Sequence, residues 1–279
     1  MVTFAQAPAI EWQKSIGGST VEEAKSIEQT TDGGYIVAGY TTSNNGDVTG
    51  NHGNSDYWVV KLSATGTIQW QKTLGGTADD YAQSIQQATD GGYIIAGYTN
   101  SNNGNVTGNH GNYDYWVVKL SAVGTIEWQK TLGGTQNEYA YSIQQTRDGG
   151  YIVAGYAASI DGDVTGVQGG FDYWVVKLNS TGTIEWQKTA GGSSADIAFS
   201  IRETSDGGYI IVGVTLSNDG DVSGYHGGFG YDSWIVKLSG TGNIQWAKTL
   251  GGTNDDIIWS IKQTADGRSE EHTSELQSL

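Results

Sequence analysis

Hydrophobic and polar positions alternate along this chain with a short period, and the alternation itself recurs. The string Ile-Glu/Gln-Trp begins at Ile10, Ile68, Ile126, Ile184 and Ile244, so the intervals are 58, 58, 58 and 60 residues. Between these marks come a Gly-Gly, a Ser-Ile, an Asp-Gly-Gly-Tyr-Ile, a long polar loop, and Trp-Val-Val-Lys-Leu or a near variant. The two extra residues of the fourth unit fall in its polar loop, around Phe229-Gly230, where a stacked repeat tolerates added length.

Each unit reads as four short strands. Tyr35–Tyr40 is apolar on both alternating faces, as a strand between two layers requires. Asp56–Leu62 places Trp58, Val60 and Leu62 on one face and Tyr57, Val59 and Lys61 on the other. Thr67–Leu74 follows with Ile68 and Trp70 on one face, and Ala82–Ala88 is mostly polar around Ile85, which predicts a solvated edge strand. Asp90-Gly91-Gly92 supplies the positive-φ residues of a tight hairpin, and Ala64-Thr65-Gly66 does so more weakly. No helical period of any length is present. The expected fold is therefore all-β: a β-propeller, as an incomplete ring, of four-stranded antiparallel blades of about 58 residues. The units run 10–67, 68–125, 126–183 and 184–243, with a partial unit at 244–267. Trp58, Trp116, Trp174 and Trp234, with Trp70, Trp128, Trp186 and Trp246, are expected to fill the seams between blades.

Composition sharpens this picture. Hydrophobic residues are only 37 % of the chain, but aromatics are 11 %, and Trp and Tyr bury large areas each, so a sizeable core is available. There is no cysteine, which removes disulfides, thiol chemistry and Cys-based metal sites. No run of 18 apolar residues occurs, so no membrane insertion as a helix is expected. A net charge of −16 is the wrong sign for nucleic acid or anionic membrane as partner. The ends differ from the repeat. Residues 1–9, with Thr-Phe-Ala-Gln-Ala, resemble a clipped secretory leader, and residues 268–279 read like a translated sequencing adapter, a non-native tail left out of the fold reading.

The units resemble a family of exported bacterial repeat proteins rich in Asp-Gly-Gly-Tyr-Ile-Val-Ala-Gly-Tyr and Asp-Tyr-Trp-Val-Val-Lys-Leu. The motifs stand here at Asp32–Tyr40, Asp90–Tyr98 and Asp148–Tyr156, and at Asp56–Leu62, Asp114–Leu120 and Asp172–Leu178. The resemblance covers roughly residues 10–267 and implies a secreted or bacterial cell-surface protein, often one with a type IX secretion sorting domain. The Leu62, Gly66 and Trp70 spacing is also similar to that of quinoprotein-type propellers, without their cofactor residues, so this likeness is one of architecture.

Alternating strand direction puts the long loops Thr42–Ser55, Asn100–Tyr113, Ala158–Phe171 and Leu216–Tyr231 at the same end as Glu22, Asp80, Glu138, Asp196 and Asp256. One rim is thus long-looped and acidic, the other blunt. Asp161-Gly162-Asp163 and Asp219-Gly220-Asp221 offer hard oxygen ligands for calcium through Asp161, Asp163, Asp219 and Asp221. Their counterparts Asn45-Gly46-Asp47 and Asn103-Gly104-Asn105 lose the carboxylates step by step, which favours Asx-type turns over a cation needed by every unit. The acidic column after Gly-Gly is expected to cap strand ends. His52, His110 and His226 share one loop column, with Gln168 in the third unit, and read either as a ring of imidazoles or as solvated loop residues.

An active site is singular, whereas nearly every polar group here repeats, and neither a nucleophile triad nor a zinc motif is visible. The reading is a non-catalytic exported or cell-surface scaffold, requiring no cofactor, that presents its acidic rim to a protein or glycan partner through His52, His110, Tyr113, Tyr225, His226 and Phe229. The alternatives are a calcium-binding, lectin-like propeller and part of a secreted hydrolase whose catalytic residues lie outside this stretch.

Overall fold

The computed structural model describes residues 9–228 and 230–263, and the backbone of residues 269–273. Every regular element among them is a β-strand. The first sheet holds β1 (Glu22–Gln29), β2 (Tyr35–Thr41), β3 (Asp56–Leu62) and β4 (Ile68–Leu74), and the second β5 (Asp80–Gln87), β6 (Tyr93–Thr99), β7 (Asp114–Leu120) and β8 (Ile126–Leu132). The third holds β9 (Glu138–Gln145), β10 (Tyr151–Ala157), β11 (Asp172–Leu178) and β12 (Ile184–Ala190). The fourth holds β13 (Asp196–Glu203), β14 (Tyr209–Thr215), β15 (Asp232–Leu238) and β16 (Ile244–Leu250), and a final pair joins β17 (Ile258–Gln263) to β18 (Ser269–Thr273). All pairings within the sheets are antiparallel and follow chain order. Among the described residues no helix is long and apolar enough to cross a membrane.

The repeat length is as expected, but the polar strand is placed differently. Ala82–Ala88, expected as the outer edge of the sheet before it, lies in β5, the first strand of the next sheet, with Ala82 and Ile85 buried. The first strands β1, β5, β9, β13 and β17 stand side by side, each against the next. The segment Ser269–Thr273, left out of the repeat on its sequence, pairs with β17 in the place of a second strand.

Local chemistry explains the hairpin from first to second strand. Gly33 takes φ of 81°, a left-handed conformation that a side chain resists, and donates to the Thr30 carbonyl at 2.9 Å. Asp32 accepts from the Gly34 amide at 3.0 Å and from the buried Lys61 ammonium at 2.9 Å. The same lysine–aspartate pair recurs as Lys119–Asp90, Lys177–Asp148 and Lys237–Asp206 at 2.8, 2.9 and 3.0 Å. An otherwise costly buried ammonium is thereby matched in each sheet.

Face-to-face packing unites the sheets. Third strands are buried along their whole length, so their residues must be apolar or paired on both faces. Between the first two sheets, Ile36, Tyr57 and Val59 meet Ile95, Trp116 and Leu120. The Tyr57 ring lies 4.5 Å from Trp116 and its hydroxyl donates to the Trp116 carbonyl at 2.9 Å. Tyr115 on Trp174 and Tyr173 on Trp234 repeat both contacts. Trp116, Trp174 and Trp234 are fully buried, as expected of core tryptophans. The fourth-strand tryptophans sit farther out, with Trp70 edge-on to Tyr93, Trp128 to Tyr151 and Trp186 near Tyr209, each at 5.7 Å.

Candidate binding cleft

The free edges of β5, β9 and β13 would expose unpaired amides, and the first strand before each supplies acceptors. Ser26 and Glu28 accept from the Ile85 and Gln87 amides at 3.3 and 2.6 Å. Ser84 and Gln86 do the same for Ile143 and Gln145, and Ser142 and Gln144 for Ile201 and Glu203. Residues of β1, β5 and β9 with Arg202 of β13 line a half-open cleft of about 300 Å³. A second cavity of about 580 Å³, lined by Gln144, Arg202 and residues of β17 including Lys262, continues from it. Gln144 and Arg202 line both.

All five first strands carry a β-bulge at the same place. The register slips between Ala24 and Ser26, Ala82 and Ser84, Ala154 and Gly155 opposite Tyr141, Ala198 and Ser200, and Ile258 and Ser260. The extra residues are Lys25, Gln83, Tyr141, Phe199 and Trp259. A bulge needs room across the strand: a Cβ on Gly97 would stand 2.0 Å from the Tyr81 carbonyl oxygen, so the position facing it must be glycine. Its effect is to restore the face downstream. Ala198 and Ile201, three apart, both enter the core between the third and fourth sheets, leaving Phe199 and Arg202 together on the other side.

Here the repetition breaks. Third strands read Asp-Tyr-Trp-Val-Val-Lys-Leu in three sheets and Asp-Ser-Trp-Ile-Val-Lys-Leu in the fourth. The first strands β5, β9 and β13 keep a buried Ala and Ile, and all five vary at the bulge and three residues later, where Glu28, Gln86, Gln144, Arg202 and Lys262 stand. Arg202 cannot accept an amide hydrogen as Glu28, Gln86 and Gln144 do. Its Nη1 donates to the Ile201 carbonyl at 2.7 Å and approaches Ser142 Oγ at 3.5 Å. Burial lowers its pKa and the Glu28 charge across the cleft works against that; burial likewise raises Glu28. Tyr141 meets Phe199 at 5.8 Å, and Phe199 stacks on Trp259 at 4.4 Å with 27° between planes. Trp259 remains 52 % exposed. Burial pushes the Tyr141 hydroxyl up to about 12, so it stays protonated. None of these residues was singled out from sequence, although their variation among otherwise matching units was readable there.

The residues that were singled out serve the loops themselves. Asp161 and Asp219 accept from the Thr135 and Ser193 amides at 2.9 and 2.7 Å, and Asn45 and Asn103 make the same bond to Ser19 and Thr77. Asp163 takes the Gly133 amide at 3.3 Å, as Asn105 takes Gly75; Asp221 lies 3.9 Å from Lys188. Amide and carboxylate thus do equal work at the first of these positions, which is backbone capping. Among the described residues no three His, Asp or Glu side chains are grouped to hold a metal ion. His52, His110 and His226 do not converge: each Nδ1 lies 2.6, 2.7 and 2.8 Å from its own sheet's Asp56, Asp114 or Asp232. Tyr113 packs against Tyr98 and Tyr139, and Tyr225 donates to the Gly230 carbonyl at 2.9 Å. Phe229 lies outside the described residues.

Under this rim sit buried acid pairs. The acidic residue after Gly-Gly caps that turn, as expected: Asp80 Oδ2 accepts from the Gly76 amide at 2.8 Å and Glu138 Oε2 from Gly134 at 2.8 Å. A Cβ on Gly75 would touch both Asp80 Oδ2 and Asp56 Oδ1, so the two carboxyls share one small space. Gly133 stands likewise between Asp114 and Glu138, and Gly191 between Asp172 and Asp196. Asp56, Asp114 and Asp172 each keep one buried oxygen without a hydrogen-bond partner. Burial pushes Asp80 and Asp114 up to about 6 and Asp172 up to about 7.

Fold and cleft together define a repeat protein of stacked four-stranded antiparallel sheets. No family model matches the chain. Over 190 residues it is 24 % identical to the regulatory protein FlaEY of Caulobacter vibrioides, an overlap of 61 % of this chain but only 19 % of that protein. Among solved structures, a protein of unknown function from Bacteroides caccae is similar over 83 % of this chain and 63 % of its own, with a TM-score of 0.46 and 11 % identity.

Proposed function

We propose that the chain is an arc of a β-propeller, of the exported or cell-surface bacterial type its motifs resemble, and that it is a non-catalytic binding module. Its partner sits in the cleft of the first strands rather than on the loop rim. One observation carries this reading: across the five bulges and the positions three residues on, the side chains change from polar or acidic to aromatic and cationic around one cleft, while the loop residues Asp161, Asp219, His52, His110 and His226 are already held by backbone amides or a neighbouring carboxylate. A bulge re-aims a side chain, and such devices concentrate at functional sites. Convergence of the first strands agrees with blades set around an axis. The test is retention on arrays of immobilised saccharides and peptides. Phe199→Ala with Trp259→Ala abolishes retention of the wild-type partner, and Tyr113→Phe leaves it unchanged. The reverse pattern returns the site to the rim and overturns the proposal.

A further inference from the structure

We infer that the cleft takes a carbohydrate bearing a carboxylate, and that Arg202 is the group that receives the acid. This rests on the binding-module reading above. Two adjacent first strands carry the same pair, an aromatic at the bulge and a cation three residues on: Phe199 with Arg202, and Trp259 with Lys262. The bulge puts each pair on one strand face. Trp259, half exposed and backed by the stacked Phe199 ring, presents a flat apolar surface suited to the C–H face of a pyranose. The guanidinium fork matches a carboxylate in two parallel hydrogen bonds, and among the described residues only Nη1 of Arg202 is engaged. Gln144 lines both cavities; its Oε1 is taken by the Glu203 amide, which leaves its NH₂ to donate to a sugar hydroxyl. Glu28 across the cleft accepts from sugar hydroxyls. With a net charge of −16 the whole molecule repels polyanions, so the ligand carries one acid or few.

The experiment is calorimetric titration of the whole chain with trigalacturonate, the neutral galactose trimer and triglutamate, alongside tryptophan fluorescence. Trigalacturonate is expected to bind and perturb the Trp259 signal, with the neutral trimer at least about tenfold weaker. Arg202→Gln removes that preference and Trp259→Ala removes binding of both sugars, while thermal melts confirm that each variant folds. Equal affinity for both trimers overturns the role of Arg202 and leaves the cleft as a sugar site. Binding of triglutamate in preference, still sensitive to Trp259→Ala, overturns the sugar and keeps the binding-module reading. If no probe binds, the acidic sugar is overturned, and the array experiment with Phe199→Ala and Trp259→Ala decides the cleft separately.

Discussion

The third and first strands of each sheet are built from the same backbone geometry and treat sequence in opposite ways. A third strand is covered on both faces and paired with strands on both edges, so all seven of its side chains are buried and nearly all are identical from unit to unit. The first strands β5, β9 and β13 have a buried face, which keeps Ala and Ile, and a face open to the cleft, which keeps one Ser but varies at the bulge and three residues on. Packing fixes the first kind of position because an interior near crystal density penalises any change of volume. In a repeat protein the units serve as one another's controls, and the places where they disagree mark what the scaffold is for.

Two tryptophans separate these regimes. Trp174, fully buried in β11 beneath Tyr115, is expected to cost about 3–5 kcal/mol when replaced by Ala, since a large cavity opens between sheets. Trp259, half exposed, is expected to cost less than about 1 kcal/mol when replaced by Ala. Chemical denaturation of the two variants reads the difference directly. Equal losses would mean that the cleft face is core, and the contrast between the strands would fall.

Much of this architecture is legible in the residues. Ile-Glu/Gln-Trp sets the unit length, and the second and third strands fall where apolar runs and alternation put them: Asp56–Leu62 is recovered to the residue and Tyr35–Tyr40 to within one. The first strand misleads for two physical reasons. Its bulge breaks the period of two, and its Gln86 and Gln144 are polar because they serve amides of the neighbouring strand, not because they face water. Polar residues on a strand therefore read as a solvated edge although the strand packs against the first strands of neighbouring sheets. The loop residues mislead in the other direction. Nothing local to Asp161 reveals that the Thr135 amide, 26 residues away, already occupies it, and nothing in the sequence shows that Asp114, four residues from His110, is buried and turned toward its imidazole.

The acid pairs beneath the rim give a second contrast, between carboxyls whose pKa is raised and those whose pKa is lowered. Asp80, Asp114 and Asp172 hold a proton more tightly folded than unfolded, so the stability tied to that proton is complete below about pH 4. It is lost as pH rises to about 7. Asp148 has the opposite sign: burial raises it, but bonds from Thr146 and Lys177 outweigh that and hold it at about 2, so its contribution is lost only in stronger acid. Between pH 5 and 8 the raised group governs, and melting temperature is expected to fall across that interval. Asp172→Asn, which removes one negative charge from the third pair, is expected to raise the melting temperature at pH 8 and to flatten the slope. A wild-type melting temperature that climbs from pH 5 to 8 would show that the pairs stay ionised without penalty.

The smallest expected effect distinguishes the second sheet from the third. Asp114 accepts from the His110 backbone amide at 2.9 Å and lies 2.7 Å from its imidazole, whereas Asp172 has only the Gln168 amide at 2.8 Å. Burial raises both carboxyls, and the additional bond from His110 holds Asp114 near 6 while Asp172 reaches about 7. The imidazole is 39 % exposed, so its contribution to stability is screened and expected to stay under about 1 kcal/mol. Its effect on the acid is larger than its effect on the fold. His110→Gln is expected to move Asp114 up toward the value of Asp172, and Gln168→His to move Asp172 down, both followed by carboxyl carbon chemical shifts during a pH titration. If neither acid moves on exchange of the loop residue, the difference between them comes from their buried partners, Glu138 and Asp196, and the histidine column has no hold on the rim's protons.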